Sequence, residues 1–137
     1  MRILHVINRL GASGAEVMLF NLALALREKG VEQSIVTLLP GGSLVERFEV
    51  AGFKIRHIGM QQGVPSVRAL WSLRNEVLRI MPDVVVGWMY HSCYAASFGV
   101  PGTIPVIWGI HHTLGQLDKE KLLTRLLIRF GPRIRNL

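Results

Sequence analysis

Arg2-Ile3-Leu4-His5-Val6-Ile7 is followed by Asn8-Arg9-Leu10-Gly11-Ala12-Ser13, and then by a stretch from Gly14 to Lys29 that Gly30 closes. The first six residues form a short apolar run with β-branched members, the pattern of a strand buried on both faces. In the third stretch Val17, Phe20 and Leu24 recur at helical spacing, and a glycine just past the last turn suits a helix C-terminus. Strand, glycine-bearing loop and helix in that order predict the opening of a parallel α/β sheet.

The same alternation continues outward. Gln33 to Leu38 reads as a second strand closed by Pro40-Gly41-Gly42. Ser43 to Ala51 reads as a short helix, with Ser43 as N-cap and Glu46 three residues on. Lys54 to Ile58 is a third strand, and Ser66 to Ile80 a helix with Leu70, Leu73, Val77 and Ile80 along one side. Pro82-Asp83 breaks that helix before Val84-Val85-Val86 opens a fourth strand. A small helix near Ser92 to Phe98 precedes a fifth strand, Pro105 to Gly109, and a last helix runs from about Gln116 to Phe130 before Gly131-Pro132. Right-handed crossovers then give an α/β, doubly wound parallel sheet, Rossmann-like, in the order 3-2-1-4-5. Ligands bind such sheets outside the carboxyl ends of the strands, near the switch between strands 1 and 4.

The bulk numbers fit this architecture. The chain has 137 residues, half of them hydrophobic and 18% charged, which suits one domain with an ordinary core and excludes a disordered tail. Cys93 is the one cysteine, so a reducing, cytoplasmic compartment is expected. Val84 to Ile110 is free of charge and long enough to suggest a membrane span. Gly87, Gly99, Pro101, Gly102 and Pro105 interrupt it, however, and two short strands are the better reading. The net charge of +7 is concentrated near the end: Asp118 to Leu137 holds six basic residues against two acidic ones. Such an asymmetry points to an anionic partner.

Four loops and stretches can carry chemistry. Gly11-Ala12-Ser13-Gly14-Ala15-Glu16 puts small residues before a helix start, where backbone amides favour an anion, so Ser13 and Gly14 are candidates for phosphate contact. Ser13 and Glu16 also match a capping box, and the two roles are compatible. The dinucleotide fingerprint is incomplete, since Gly11 and Gly14 alone are present and strand 2 ends in Thr37-Leu38-Leu39 without a carboxylate. Gly87 to Ser92 and Gly109 to Thr113 bring Tyr90, His91, His111 and His112 to the ligand-binding edge. Imidazoles there can bond a sugar hydroxyl or phosphate, act as a base, or bond the backbone. Their spacing does not match a zinc site, so no metal is expected. His5 and His57, within strands, read as structural or solvent-facing. In the last helix Lys121, Arg125 and Arg129 recur every fourth residue beside an apolar stripe of leucines. That is a solvated basic face or a contact for anionic lipid. Nucleic acid is disfavoured, because no aromatic residues interleave with the charge.

Taken together, these residues resemble the amino-terminal domain of family 4 glycosyltransferases, retaining enzymes of the two-domain GT-B fold. The resemblance rests on Arg2 to Leu10 with Gly14-Ala15-Glu16, on Arg79-Ile80-Met81-Pro82-Asp83 leading into strand 4, and on Pro105 to Trp108 followed by His111. It implies transfer of a sugar from a nucleotide-sugar to a glycan or lipid-linked acceptor, with no cofactor and no metal ion. Ser13 and Gly14 would approach the donor diphosphate and His111 the transferred sugar, with Tyr90, His91 and His112 on the acceptor side. Ser13 stands where family members often carry the first of two glycines, which narrows backbone approach. The family's donor-binding second domain, with its glutamates seven residues apart, has no counterpart in residues 1–137. The expectation is therefore an acceptor-side fragment, incomplete at its carboxyl end, inactive alone and peripheral on the inner face of the membrane. An apolar edge left by truncation would favour dimers. Two other functions fit the same residues: a stand-alone module for glycans or anionic surfaces, and an unrelated nucleotide-binding domain of flavodoxin-like shape.

Overall fold

The computed structural model describes residues 1–61 and 66–109. Strands β1 (Arg2–Ile7), β2 (Glu32–Thr37), β3 (Ile55–His57), β4 (Val84–Trp88) and β5 (Val106–Gly109) alternate with helices α1 (Gly14–Glu28), α2 (Val45–Val50), α3 (Val67–Ile80) and α4 (Met89–Gly99). All strands are parallel, in the order β3-β2-β1-β4-β5. This is the doubly wound order expected from the sequence. The charge-free stretch from Val84 folds as strand, helix and strand as far as Gly109. Among the described residues no helix is long and apolar enough to cross a membrane.

Alternate strand residues feed two cores, as the period of a pleated strand requires. Leu4, Val6, Val36 and Val85 face Leu73 and Val77 of α3 and Ala95 and Ala96 of α4. Ile7, Ile35 and Trp88 face Leu19, Phe20 and Ala23 of α1 and Phe48 of α2. Phe48 is fully buried and meets Phe20 edge-on at 4.9 Å and Phe53 at 5.7 Å. A helix of α2's length is not stable by itself, so this aromatic cluster holds it.

Three local readings are corrected. Val17 is exposed, while Leu19 and Ala23 are buried beside Phe20. Helix α1 is apolar nearly all round, so its sequence does not set its rotational phase and the sheet does. The N-cap of α2 is Leu44, without a side-chain cap, rather than Ser43, because the Leu44 amide is drawn to the Leu10 carbonyl at 3.0 Å. Ser13 is the N-cap of α1 as read, yet its hydroxyl donates to the Glu16 carboxylate and caps no amide. Ser66, by contrast, caps α3 by accepting from the Ala69 amide at 3.1 Å.

His5 is fully buried under α1 at the centre of a polar chain. Trp88 Nε1 donates to His5 Nδ1 at 3.2 Å, which places the imidazole proton on Nε2, 3.1 Å from Gln33 Oε1. The Gln33 amide then donates to the Ala23 carbonyl of α1 at 2.9 Å. The chain thus links β4, β1, β2 and α1. Burial lowers the His5 pKa to about 4, against an opposing pull from the Gln33 bond. The folded protein therefore keeps His5 neutral, while the unfolded chain protonates it near 6.5. Its contribution is complete above that value and is lost as pH falls through the window down to about 4.

Urea denaturation should accordingly show wild type losing on the order of 3 kcal/mol relative to His5→Gln over that window, a change that carboxylate titration common to both proteins cancels out of. Parallel curves for the two proteins would refute the assignment.

Candidate functional site

The carboxyl edge of the sheet is built from the loop after β1, the loop after β2 and the start of α4. Two contacts fix the first loop onto the second. Leu39 N bonds to the Asn8 carbonyl at 2.8 Å, and Arg9 Nε reaches the Pro40 carbonyl at 3.3 Å. Gly42, at φ +131°, lies so close that a Cβ there would come within 2.1 Å of the Leu10 carbonyl oxygen. Only glycine suits both that backbone angle and that approach. The glycine-bearing loop before α1 is therefore held in place before any ligand arrives. The sequence showed Gly42 as a turn residue, but nothing in it signalled this interlock.

At the end of this loop, α1 begins with Gly14, Ala15 and Glu16. A Cβ on Gly14 would meet nothing within 4 Å, so chain packing does not require glycine there. Ser13 and Gly14 are both exposed at the positive end of a 15-residue helix, the arrangement that favours an anion. Glu16 occupies part of that field and is tied to the Ser13 hydroxyl.

The segment Met89–Ser92, read from sequence as a loop, is the first turn of α4. Strand β4 passes into the helix with no intervening loop, through Met89 at φ 66°. No Ser, Asp or Asn cap announces the start, so local signals miss it. Helix α4 also lies directly on the strand: a Cβ on Gly87 would come within 2.8 Å of Cys93 Cα and 3.2 Å of the Ser92 carbonyl oxygen. The Cys93 thiol donates to the Gly87 carbonyl at 3.1 Å, and burial pushes its pKa up to about 12, so it is a structural thiol rather than a nucleophile.

The helical start separates two of the three acceptor-side candidates, Tyr90 and His91. Tyr90 is buried, whereas His91 is exposed on the same first turn. Tyr94 packs edge-on against Trp108 of β5 at 5.2 Å, and Trp108 Nε1 donates to Ser97 Oγ at 3.1 Å, which ties α4 to the edge strand. Burial, then the neighbouring Cys93 and Tyr90, raises the Tyr94 pKa. His5 is structural, as one of its two sequence readings held. His57 is exposed, with Nδ1 2.6 Å from Thr37 Oγ1. Among the described residues no group of three His, Cys, Asp or Glu is arranged to hold a metal ion. His111, His112, Lys121, Arg125 and Arg129 lie outside the described residues.

Comparison with known proteins adds to this geometry. A search of curated proteins found no match. The crystal structure of Acinetobacter baumannii MurG superposes with a TM-score of 0.62 at 18% identity, covering 86% of this chain and 38% of that one. The likeness shows a shared fold, and this chain spans well under half the length of that protein. The model of glycosyltransferase family 4 matches residues 12–137. The parallel sheet and its interlocked carboxyl-edge loops are thus the amino-terminal half of a GT-B fold, and the chain belongs to glycosyltransferase family 4.

Proposed function

We propose that this chain is the acceptor-side domain of an enzyme that transfers a sugar from a nucleotide-sugar to a glycan or lipid-linked acceptor with retention of configuration. The family match over residues 12–137 carries this reading. The geometry supports it through the loop that Gly42 pins against Leu10, which leaves Ser13 and Gly14 exposed at the head of α1. Electrostatic groups that need no reorganisation when charge develops contribute most to catalysis. A diphosphate leaving group placed at the α1 amides would gain from that field. In this reading His111 acts beside the transferred sugar, and Tyr90, His91 and His112 border the acceptor. Tyr90, being buried, shapes that wall from behind while His91 reaches solvent.

Turnover on this proposal needs a second, donor-binding Rossmann-like domain, because α1 offers only one end of a diphosphate site. We place the enzyme in the cytoplasm, peripheral on the inner face of the membrane, with Lys121, Arg125 and Arg129 toward anionic lipid. Any dimer of the chain alone would form through an apolar edge, of which half-exposed Ile107 on edge strand β5 is a described part.

The test is nucleotide release from a panel of nucleotide-sugars. The 137-residue chain alone should release none above background, and the same chain joined to a donor-binding domain should turn over. In the joined enzyme His111→Ala should lower kcat by about 10²–10⁴-fold. Full activity in that variant would remove His111 from the mechanism.

Gly14→Ala gives a cleaner reading, because the added methyl meets nothing in the fold. Its melting temperature should hold or rise, since alanine suits a helix better than glycine. Its KM for the donor should increase at least about tenfold through lost backbone approach. An unchanged KM would sink the donor role of this loop.

A further inference from the structure

Helix α4 begins without the groups that ordinarily answer a helix start. Its N-cap, Trp88, provides no side-chain cap, and its first turn holds no acid. The first amides of a helix have no partner within it and carry the positive end of its dipole. At α1 the Glu16 carboxylate stands in that field, and at α3 the Ser66 hydroxyl caps an amide. Nothing in the first turn of α4 plays either part.

One turn in, Ser92 is fully buried, and its Oγ is the one buried side-chain oxygen or nitrogen among the described residues with no hydrogen-bond partner. His5 and Thr37, the other buried polar residues, are both bonded. A helical serine can return its hydroxyl to the carbonyl four residues earlier, but Ser92 does not. Side chains lean toward the amino end of their helix, so this hydroxyl is aimed at the turn of Trp88 and Met89. It shares that opening with the first-turn amides. Met89 stands three residues before Ser92, on the same side of the helix, and packs into neither core. It is half-buried, and its backbone sits at φ 66°, an angle that glycine would take without strain. Its side chain is unbranched and has three rotatable bonds, which suits a cover that moves.

We propose that the first turn of α4 binds a phosphate group, with the Ser92 hydroxyl and the first-turn amides as donors and the Met89 side chain as the cover that swings aside. Exposed His91 adds an imidazole N–H at the rim. A set of donors with no carboxylate among them rejects a cation and favours an anion with several oxygens. Two sources of phosphate reach this edge, the donor's diphosphate and a phosphate carried by the acceptor. Since α1 serves the donor in the reading above, the phosphate at α4 belongs to the acceptor. That assignment rests on the catalytic reading, whereas the site itself does not.

Site-resolved amide NMR of the 137-residue chain, titrated with inorganic phosphate, tests it. The amides from Tyr90 to Cys93 should shift along a saturating curve. Ser92→Ala should weaken that binding at least about tenfold, as loss of one hydrogen bond to a charged group does. Its melting temperature should hold or rise, because no partner is lost. Met89→Gly should tighten binding at least about threefold, because the cover no longer limits the population of the open turn. Gly14→Ala should leave the α4 shifts unchanged. Shifts confined to Gly14 to Glu16, a curve that does not saturate, or equal affinity in parent and Ser92→Ala would overturn the site, the last by leaving the hydroxyl to an internal water. Equal shifts with glucose would overturn its anion chemistry. Uridine and guanosine diphosphates then separate the two sources. If they leave the α4 turn open to glycerol 3-phosphate, the acceptor assignment holds. If they displace glycerol 3-phosphate, that assignment falls and the turn serves the donor. None of these readouts involves turnover, so an inactive joined enzyme would count against the catalytic reading alone.

Discussion

The backbone of α4 occupies the space where a side chain at Gly87 would be, and much of the site depends on that contact. With 2.8 Å between the absent Cβ and Cys93 Cα, strand and helix touch main chain to main chain. Such closeness leaves no room for a connecting loop, so β4 turns into α4 through Met89 in the left-handed region. A bulky residue held there costs on the order of 1–2 kcal/mol, which the surrounding packing must offset. Trp88, the last residue of β4, is fixed by its bond to His5, and Trp108 by its bond to Ser97. The turn is therefore determined from both sides.

The consequence is a rigid edge. Helices α1 and α4 leave adjacent strands, β1 and β4, with their amino-terminal ends on the carboxyl side of the sheet. Two helix dipoles thus begin beside the topological switch point, the place where doubly wound sheets bind ligands. The loop before α1 has little freedom, because Gly42 lies against its backbone and Pro40 holds Arg9. Preorganisation of this kind lowers the ordering cost of binding. The polar chain through His5 serves the same end from below by tying α1 to three strands. Its imidazole stays neutral well below the usual range, so the link does not weaken near neutral pH.

The global order of this fold was legible because it depends on redundant signals. Strands β1, β4 and β5 are largely apolar runs, each described helix ends near Gly or Pro, and handedness rules leave few topologies. What could not be read were features set by contacts between distant residues. Nothing local says that Gly87 meets Cys93 or that Gly42 meets Leu10. Ser43 has the signature of an N-cap, yet Leu44 takes the role because Leu10 offers its amide a partner. Tyr90 and His91 are neighbours in sequence and looked equivalent as loop residues. One helical turn makes the first buried and the second exposed. Ser13 and Glu16 were legible as a pair, but whether they would serve backbone amides or each other depends on geometry finer than a four-residue motif.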